Sequence, residues 1–467
     1  MNTSHSGTPS FLSRIPHAIT MLFGIIVLVS ILTYILPAGT YERILVDGSS
    51  TVVPDSYRTI ESTPVGLLDM FKAIPLGFKA AVEIIFIVLA GGIMFGFMEK
   101  SKAVENAVGT LVNRLGLKKK NLIIIIMTFI YGILGVAVGY ENNIAMVPIA
   151  AVLSLALGGD LILAAGISVG AMTIGFGLSP INPYTVGTGH KIAELPMFSG
   201  ALLRSVLCFS ALSLMAYYNI RYFKKISLDP SRSLGQGLDV SELALSKPVN
   251  EYSLNRKNWM VISIFVLGLI AILYGVFNLH WYINELSAVF LMIALLSGLV
   301  SKMSATEMSE TVLKAVGVAA PGAFMVGFAT SIKVLMEMGN IGDTISYQLS
   351  VLLEDLPLYA SAICMSISQT TINFFIPSGS GQALATLPVM LPLGESLGLT
   401  RQITILAFQI GDGLSNLVNP TLGGLIAMLS MCRVPIDRWI RFIFPVLIIL
   451  LCIAFLALIV AVATNYS

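Results

Sequence analysis

Between Ser378 and Thr421 the sequence runs SGSGQALATLPVMLPLGESLGLTRQITILAFQIGDGLSNLVNPT. A Ser/Gly tip leads into a proline-closed apolar segment. An apolar span follows that carries Gln409, Asp412, Ser415, Asn416 and Asn419 and breaks at Asn419-Pro420. On a helix those polar positions recur every three to four residues and share one face. In hydrocarbon such a face must look at protein, water or a ligand. The same design stands about 240 residues upstream: a polar tip Gly139-Tyr140-Glu141-Asn142-Asn143, a proline at Pro148, then an apolar span ending in Ser179-Pro180-Ile181-Asn182-Pro183. Paired interruptions at matching places in two halves restrict the chain to folds that shelter irregular backbone at membrane depth around a solute site.

The solvent implied by this pattern is lipid. Hydrophobic residues make up 56% of the 467 and charged residues 11%, with a mean hydropathy of +0.88. Apolar runs of about 20 residues, enough to cross about 30 Å of hydrocarbon, recur along the chain. They predict an all-α integral membrane protein. The net charge of +2, with bases spread among loops, excludes a nucleic-acid partner. Cys208, Cys364, Cys432 and Cys452 each sit alone in apolar sequence and read as buried thiols, with neither disulfide nor metal site. No G-x-x-x-x-G-K-[ST] is present to cradle a nucleotide phosphate. Ser378-Gly379-Ser380-Gly381 resembles an intramembrane serine hydrolase only faintly. None of His5, His17, His190 and His280 is placed as its base, so the chain reads as a non-enzyme that needs no cofactor.

Taken in order, residues 1–222 form a first repeat: a span at 18–36, a polar external loop at 39–63, a span at 80–97, a hairpin at about 121–158 with its tip at Glu141, a broken helix at about 161–189 and a span at 198–222. Residues 223–257 read as a cytoplasmic linker, and 258–280 as a connecting transmembrane helix without a counterpart. Residues 281–467 repeat the first half, with a hairpin at about 357–393 and a broken helix at about 401–431. Phe97-Met98-Glu99 is answered by Leu335-Met336-Glu337. Four spans and a re-entrant hairpin return the chain to its starting face, so the unpaired span flips the second copy and the two repeats have inverted topology. A cytoplasmic N-terminus places Lys118, Lys119, Lys120, Lys224, Lys225, Arg256, Lys257, Lys302, Lys314, Arg433, Arg438 and Arg441 inside, in accord with the positive-inside rule, and puts Ser467 outside.

Helix ends at the tips and breaks attract carboxylates, and freed carbonyls coordinate cations. Ser179, Asn182, Thr185, Ser378, Ser380, Ser415, Asn416, Asn419 and Thr421 add neutral ligands, with Gln382 and Gln409 less diagnostic. Glu141 and Asp412 are the carboxylates deepest in apolar sequence, one per half. An ionised carboxylate costs at least a few kcal/mol at the bilayer centre, so each reads as a holder of a coupling sodium ion or proton. Lys191, Arg204 and Arg401 fall near the outer face, which leaves the expected site without a lysine or arginine.

PSGSGQA, then Thr400-Arg401-Gln402, AFQIGDGLSNLVNPT and Arg433-Val434-Pro435 resemble the YfcC-type transporters, relatives of the anaerobic C4-dicarboxylate carriers of the ion transporter superfamily. The resemblance covers nearly the whole chain. It implies inverted repeats with two hairpins, a homodimer in the cytoplasmic (inner) membrane bilayer, and elevator movement of a transport domain against a scaffold. It also implies that substrate and ions meet where Glu141, Asn142 and Asn143, Ser179 to Thr185, Ser378, Gly379, Ser380 and Gln382, and Asp412 to Thr421 come together. The first tip departs from the pattern, with Asn142 and Asn143 after Glu141 in place of adjacent acidic residues. Residues and resemblance together predict a secondary active transporter of a small carboxylate-bearing solute, a C4-dicarboxylate or an amino acid. A channel is the alternative of another class, and confinement of the polar groups to two midplane tips disfavours it.

Overall fold

The computed structural model describes residues 18–46, 49–53, 55–115, 119–138, 141–241, 243, 246–247, 251–279, 281, 283–353 and 356–467. It is a mostly helical, multi-pass membrane protein. Among the described residues five helices are long and apolar enough to cross a bilayer: Val82–Lys100, Ala201–Leu228, Ile283–Val300, Ala305–Met338 and Ile436–Ala463.

One group of helices is built on small residues. In chain order it begins with α1 (Ala18–Ile35), α2 (Leu67–Ala80), α3 (Val82–Lys100) and α4 (Ala103–Leu115). After α5 (Lys120–Val138), α6 (Val147–Ala156), α7 (Leu161–Ala165), α8 (Ala171–Gly177), α9 (Thr188–Ile192), α10 (Ala201–Leu228) and α11 (Arg256–Asn278), it resumes with α12 (Ile283–Val300) and α13 (Ala305–Met338). The long α13 packs against α1, α2 and α3. In lipid, helices associate through van der Waals contact, which small residues permit by letting backbones approach. Gly92 and Gly96 of α3 accordingly meet Ala319 and Ala315 of α13, and Gly77 of α2 meets Ser331. The sequence pattern separates an amphipathic stretch from a span at 316–336, whereas the structure runs them together into one helix of 34 residues. The reason is local. Ser304 Oγ accepts from Glu307 N while Glu307 Oε2 accepts from Ser304 N, a capping box that starts the helix early.

The polar stretch at 39–63 is more than a loop. It carries two antiparallel ribbons, β1 (Gly39–Thr40) with β4 (Arg58–Thr59) and β2 (Arg43–Val46) with β3 (Ser49–Val52), so the all-α expectation misses a small β element. The β-branched content of RILV and SSTV favours extended backbone. Asp343 ties the ribbons to α14 (Gly342–Val351), accepting from Tyr41 N at 3.0 Å and pairing with Arg43 at 2.6 Å.

A second group gathers α5 and α8 with α15 (Leu358–Asn373) and α17 (Arg401–Ser415), flanked by α10 and α19 (Ile436–Ala463). Here too glycines bring backbones together: a Cβ on Gly175 of α8 would lie 2.0 Å from Gly132 O of α5, and one on Gly411 of α17 2.4 Å from Ser366 O of α15. Segments distant in sequence also pack together. The 3-10 turn Glu141–Met146 packs on α18 (Gly423–Met431), and α16 (Gly379–Ser396) packs on α9 and the π-helical turn Pro183–Gly187.

The segment after α10, from which no chemistry was expected, is docked rather than free. Asp160 accepts from Tyr222 and Ser233 hydroxyls, and Arg438 donates to the carbonyls of Leu234 and Gln236. Farther along, Glu105 of α4 accepts from Ser246 N, Ser246 Oγ and the Tyr252 hydroxyl. Burial raises the Glu105 pKa, but these hydrogen bonds outweigh it and hold the carboxyl down at about 2. Because the folded value is depressed, the contact stabilises the fold fully above the ordinary value of 4.5 and is lost as pH falls through about 2. Glu105→Gln is expected to speed amide hydrogen exchange at Ser246 and Lys247 several-fold at neutral pH. Unchanged exchange there would show that the anchor lies elsewhere.

Candidate functional site

Two Asn-Pro steps shape the breaks. At the first, Asn182 Nδ2 donates to the Phe176 carbonyl at 3.1 Å, near the end of α8. Its Oδ1 accepts from the backbone N–H of Tyr184 at 2.8 Å and of Thr185 at 3.4 Å. At the second, Asn419 Oδ1 accepts from Thr421 N at 3.0 Å, and its Nδ2 donates to the Asn373 carbonyl at 2.9 Å. Both asparagines therefore make the same side-chain turn to the amide two residues on, and the proline between has no N–H to leave unsatisfied. Ser179 Oγ donates to Val136 O at 3.2 Å, stitching the first break to α5.

Around the second break the polar residues converge on Asn373, which is fully buried at the end of α15. Its Nδ2 lies within bonding distance of Asp412 O (3.0 Å), Ser415 Oγ (2.7 Å) and Asn416 Oδ1 (2.7 Å). Thr421 Oγ1 donates to Phe374 O and Asn419 Oδ1. Between α15 and α16, Gln382 Nε2 donates to the carbonyl and side-chain oxygens of Gln369, whose own amide reaches Thr386 Oγ1. Ser378 caps α16 by accepting from Gly381 N at 3.3 Å, and Ser380 follows in the first turn.

Three stretches of the chain meet at Gly379. A Cβ built there would stand 2.6 Å from Thr185 Cγ2 and 3.5 Å from Asp412 Oδ2. The first turn of α16, the first break and α17 thus share one point. The backbones behind it touch as well: a Cβ on Gly177 of α8 would lie 2.7 Å from Gly413 Cα, and one on Gly413 only 2.4 Å from Gly177 Cα. Asp412 is 1% exposed, and neither carboxylate oxygen has a hydrogen-bond partner. The Thr185 hydroxyl beside it is likewise buried and unpartnered. Such a pair of groups can accept a cation or a proton. A cavity of ≈ 500 Å³ walled by Arg43, Lys333, Glu337, Phe375 and Gly381 reaches the first turn of α16. Another of ≈ 200 Å³ lies against Glu99, Pro148, Lys314 and Arg433.

The first tip is less fully drawn. Glu141 and Asn142 belong to the 3-10 turn Glu141–Met146, but their side chains lie outside the described residues. Asn143 is buried and donates to Leu134 O at 3.1 Å. Among the described residues no cluster of three or more His, Cys, Asp or Glu could hold a metal.

Sequence reasoning missed Asn373 and Gln369, although the polar-rich run Ser366 to Asn373 is a signal, with Gln369 and Asn373 one turn apart on one face. It also set Arg204 apart from the site. Arg204 is instead fully buried and donates through Nε to Gln409 Oε1 at 3.0 Å, while Gln409 Nε2 donates to Ser179 O at 2.7 Å. Its burial could not be foreseen, because Gln402 and Gln409 come from a helix about 200 residues away.

Among curated proteins the chain is similar to the "Putative basic amino acid antiporter YfcC" of Escherichia coli (strain K12), 28% identical with 91% of this chain and 92% of the relative covered. It is also similar to an uncharacterised protein of Haemophilus influenzae, 25% identical over 96% and 97% of the two chains. Among solved structures, MtrF of Neisseria gonorrhoeae, of a class of antimetabolite efflux pumps, is similar at 17% identity, 95% of each chain and a TM-score of 0.44. The YdaH transporter of Alcanivorax borkumensis is similar at 15% identity, 97% and 99% of the chains and a TM-score of 0.45. Likeness at that level is too loose to place elements. The model of the C4-dicarboxylate anaerobic carrier family matches residues 15–463, both breaks and both tips included, and the chain belongs to that family.

Proposed function

We propose that this protein is a secondary active transporter that moves a small carboxylate-bearing solute across the cytoplasmic membrane by alternating access, coupled to sodium or protons or run as an exchanger. The observation that carries the reading is Asp412, buried without a partner where Gly379 and Thr185 meet. A carboxylate in that position is tolerated only with a proton, a cation or a positive ligand group beside it. We assign Asp412, with Ser415 and Glu141, to the coupling ion. Asn142, Asn143, Ser179, Asn182, Thr185, Ser378, Gly379, Ser380, Gln382, Asn416, Asn419 and Thr421 are assigned to the solute. A C4-dicarboxylate and a basic amino acid share a carboxylate, which suits the N-terminal amides of α16.

The proposed architecture is a pair of inverted repeats, residues 1–222 and 281–467, each with a re-entrant hairpin and a broken helix, joined by the linker at 223–257 and the helix at 258–280. The equivalent turns at Asn182 and Asn419 support it. The group centred on α13 serves as the scaffold of a homodimer, and the group containing α8 and α17 as the moving body of an elevator. This topology puts Ser467 outside. Alkaline phosphatase fused after Ser467 is expected to be active in a bacterial host, and an active cytoplasmic reporter there would rule the inverted arrangement out.

Proteoliposome uptake of C4-dicarboxylates and basic amino acids tests the function. Wild-type uptake is expected to saturate and to respond to an imposed sodium or proton gradient. Asp412→Asn is expected to lower that gradient stimulation at least tenfold while substrate exchange persists. Undiminished coupling in the folded variant would remove Asp412 from the ion site.

A further inference from the structure

Among the described residues, Arg204 is a fully buried arginine. It occupies the first turn of α10 and is 0% exposed. Its hydrogen-bond partners are neutral: Gln409 Oε1 at 3.0 Å from Nε, and Ser199 O (3.0 Å), Gln402 Oε1 (3.0 Å) and the Tyr466 hydroxyl (2.9 Å) around Nη1. Nη2 is buried with no partner at all. No carboxylate among the described residues lies within ion-pairing distance. His190, bonded to Gln402, and Tyr466, whose ring stands 5.7 Å from the guanidinium, are titratable groups beside it. The seat is purpose-shaped, because Gly200 at φ 67° leaves room that a Cβ would fill by striking the Tyr466 hydroxyl. A buried charge without a counter-ion is costly, and a purely structural role would be served as well by a neutral residue.

What Arg204 touches gives the reason. Gln402 and Gln409 lie two turns apart on one face of α17, and Asp412 follows Gln409 by three residues, about 4.5 Å along the axis. Gln409 passes the contact on to the Ser179 carbonyl at the first break. Arg204 thus stands behind the site, two hydrogen bonds from one break and bonded to a glutamine one helical turn from the carboxylate.

We propose that Arg204 is a specificity-determining residue of the solute site, acting through Gln409. Once Asp412 is neutralised by its ion, Arg204 supplies the site's net charge and makes it favour dianionic over monoanionic or cationic solutes. This inference rests on the assignment of Asp412 to the coupling ion. Two unit charges roughly 10 Å apart at an effective dielectric of about 20 interact strongly enough to change affinity about tenfold.

The test is a thermal-shift titration of the purified full chain with succinate, with its monoanionic half-amide succinamate, and with lysine. Wild type is expected to bind succinate about tenfold more tightly than succinamate. Arg204→Met is expected to erase that ratio, and Arg204→Lys to keep it. Should Arg204→Met fail to fold, Gln402→Glu serves in its place. It is isosteric, gives the guanidinium a carboxylate partner, and lets the Ser199 hydroxyl donate where the amide did. It too is expected to erase the ratio. An unchanged ratio in Arg204→Met or Gln402→Glu overturns the proposal, as does a wild type that responds to lysine alone. A preserved ratio in Asp412→Asn, set beside its gradient coupling, separates failure of the ion assignment from failure of this one.

Discussion

Gly413→Ala is expected to abolish uptake and to lower thermal stability sharply. The new Cβ would sit 2.4 Å from Gly177 Cα and carbonyl oxygen, a distance at which one backbone or the other must move. Overpacking ordinarily costs about 1–3 kcal/mol because side chains rotate aside. Here both surfaces are main chain and neither can. The displacement falls one residue from Asp412, so the site is disturbed along with the fold. Gly317→Ala is the control: it is exposed on α13 with nothing within 4 Å of its Cβ, and it is expected to be neutral or slightly stabilising. Detergent-solubilised melting curves and proteoliposome uptake of both variants make the comparison. A Gly413→Ala protein with wild-type uptake would show that the α8–α17 crossing is looser than described.

Asn373→Ala is expected to be nearly as damaging, by the opposite route. Its amide serves Asp412 O, Ser415 Oγ and Asn416 Oδ1, and its carbonyl receives Asn419 Nδ2. Truncation leaves the carbonyl bond but removes both amide hydrogens from this cluster and orphans the buried Asn416 Oδ1, at about 1–3 kcal/mol, while Asp412 O and Ser415 Oγ keep each other. The expected result is uptake reduced at least tenfold. Asn373→Asp keeps the shape yet offers no second donor, so it should not rescue. Full activity in Asn373→Ala would mean that water fills the gap at no cost.

Much of the arrangement around Asp412 was legible because its signals are local. The three-to-four-residue spacing of Gln409, Asp412, Ser415, Asn416 and Asn419 follows from helix geometry, and Asn-Pro announces a break wherever it stands. Thr185, Gly379 and Asp412, read as site residues from separate stretches, are brought together. The hidden parts depend on distant chain. Arg204 looks like any base at a span end until α17 covers it, and Asn373 looks like one polar residue in a hairpin arm until the second break closes on it. The ribbons at 39–63 escaped notice because two- to four-residue strands carry too little pattern to read.

The equivalent turns at Asn182 and Asn419 bear on the energetics of a working cycle. Amides exposed at a broken helix are ordinarily completed by whatever binds there, so the break tends to be ordered by its ligand. In this protein the two asparagine side chains themselves occupy the amides of Tyr184, Thr185 and Thr421. Both breaks are therefore held in shape by the chain's own side chains, and under the proposed function a solute bound beside them would meet a smaller ordering penalty. More of the differential binding that such a solute supplies would then be left for biasing the protein between two facing states.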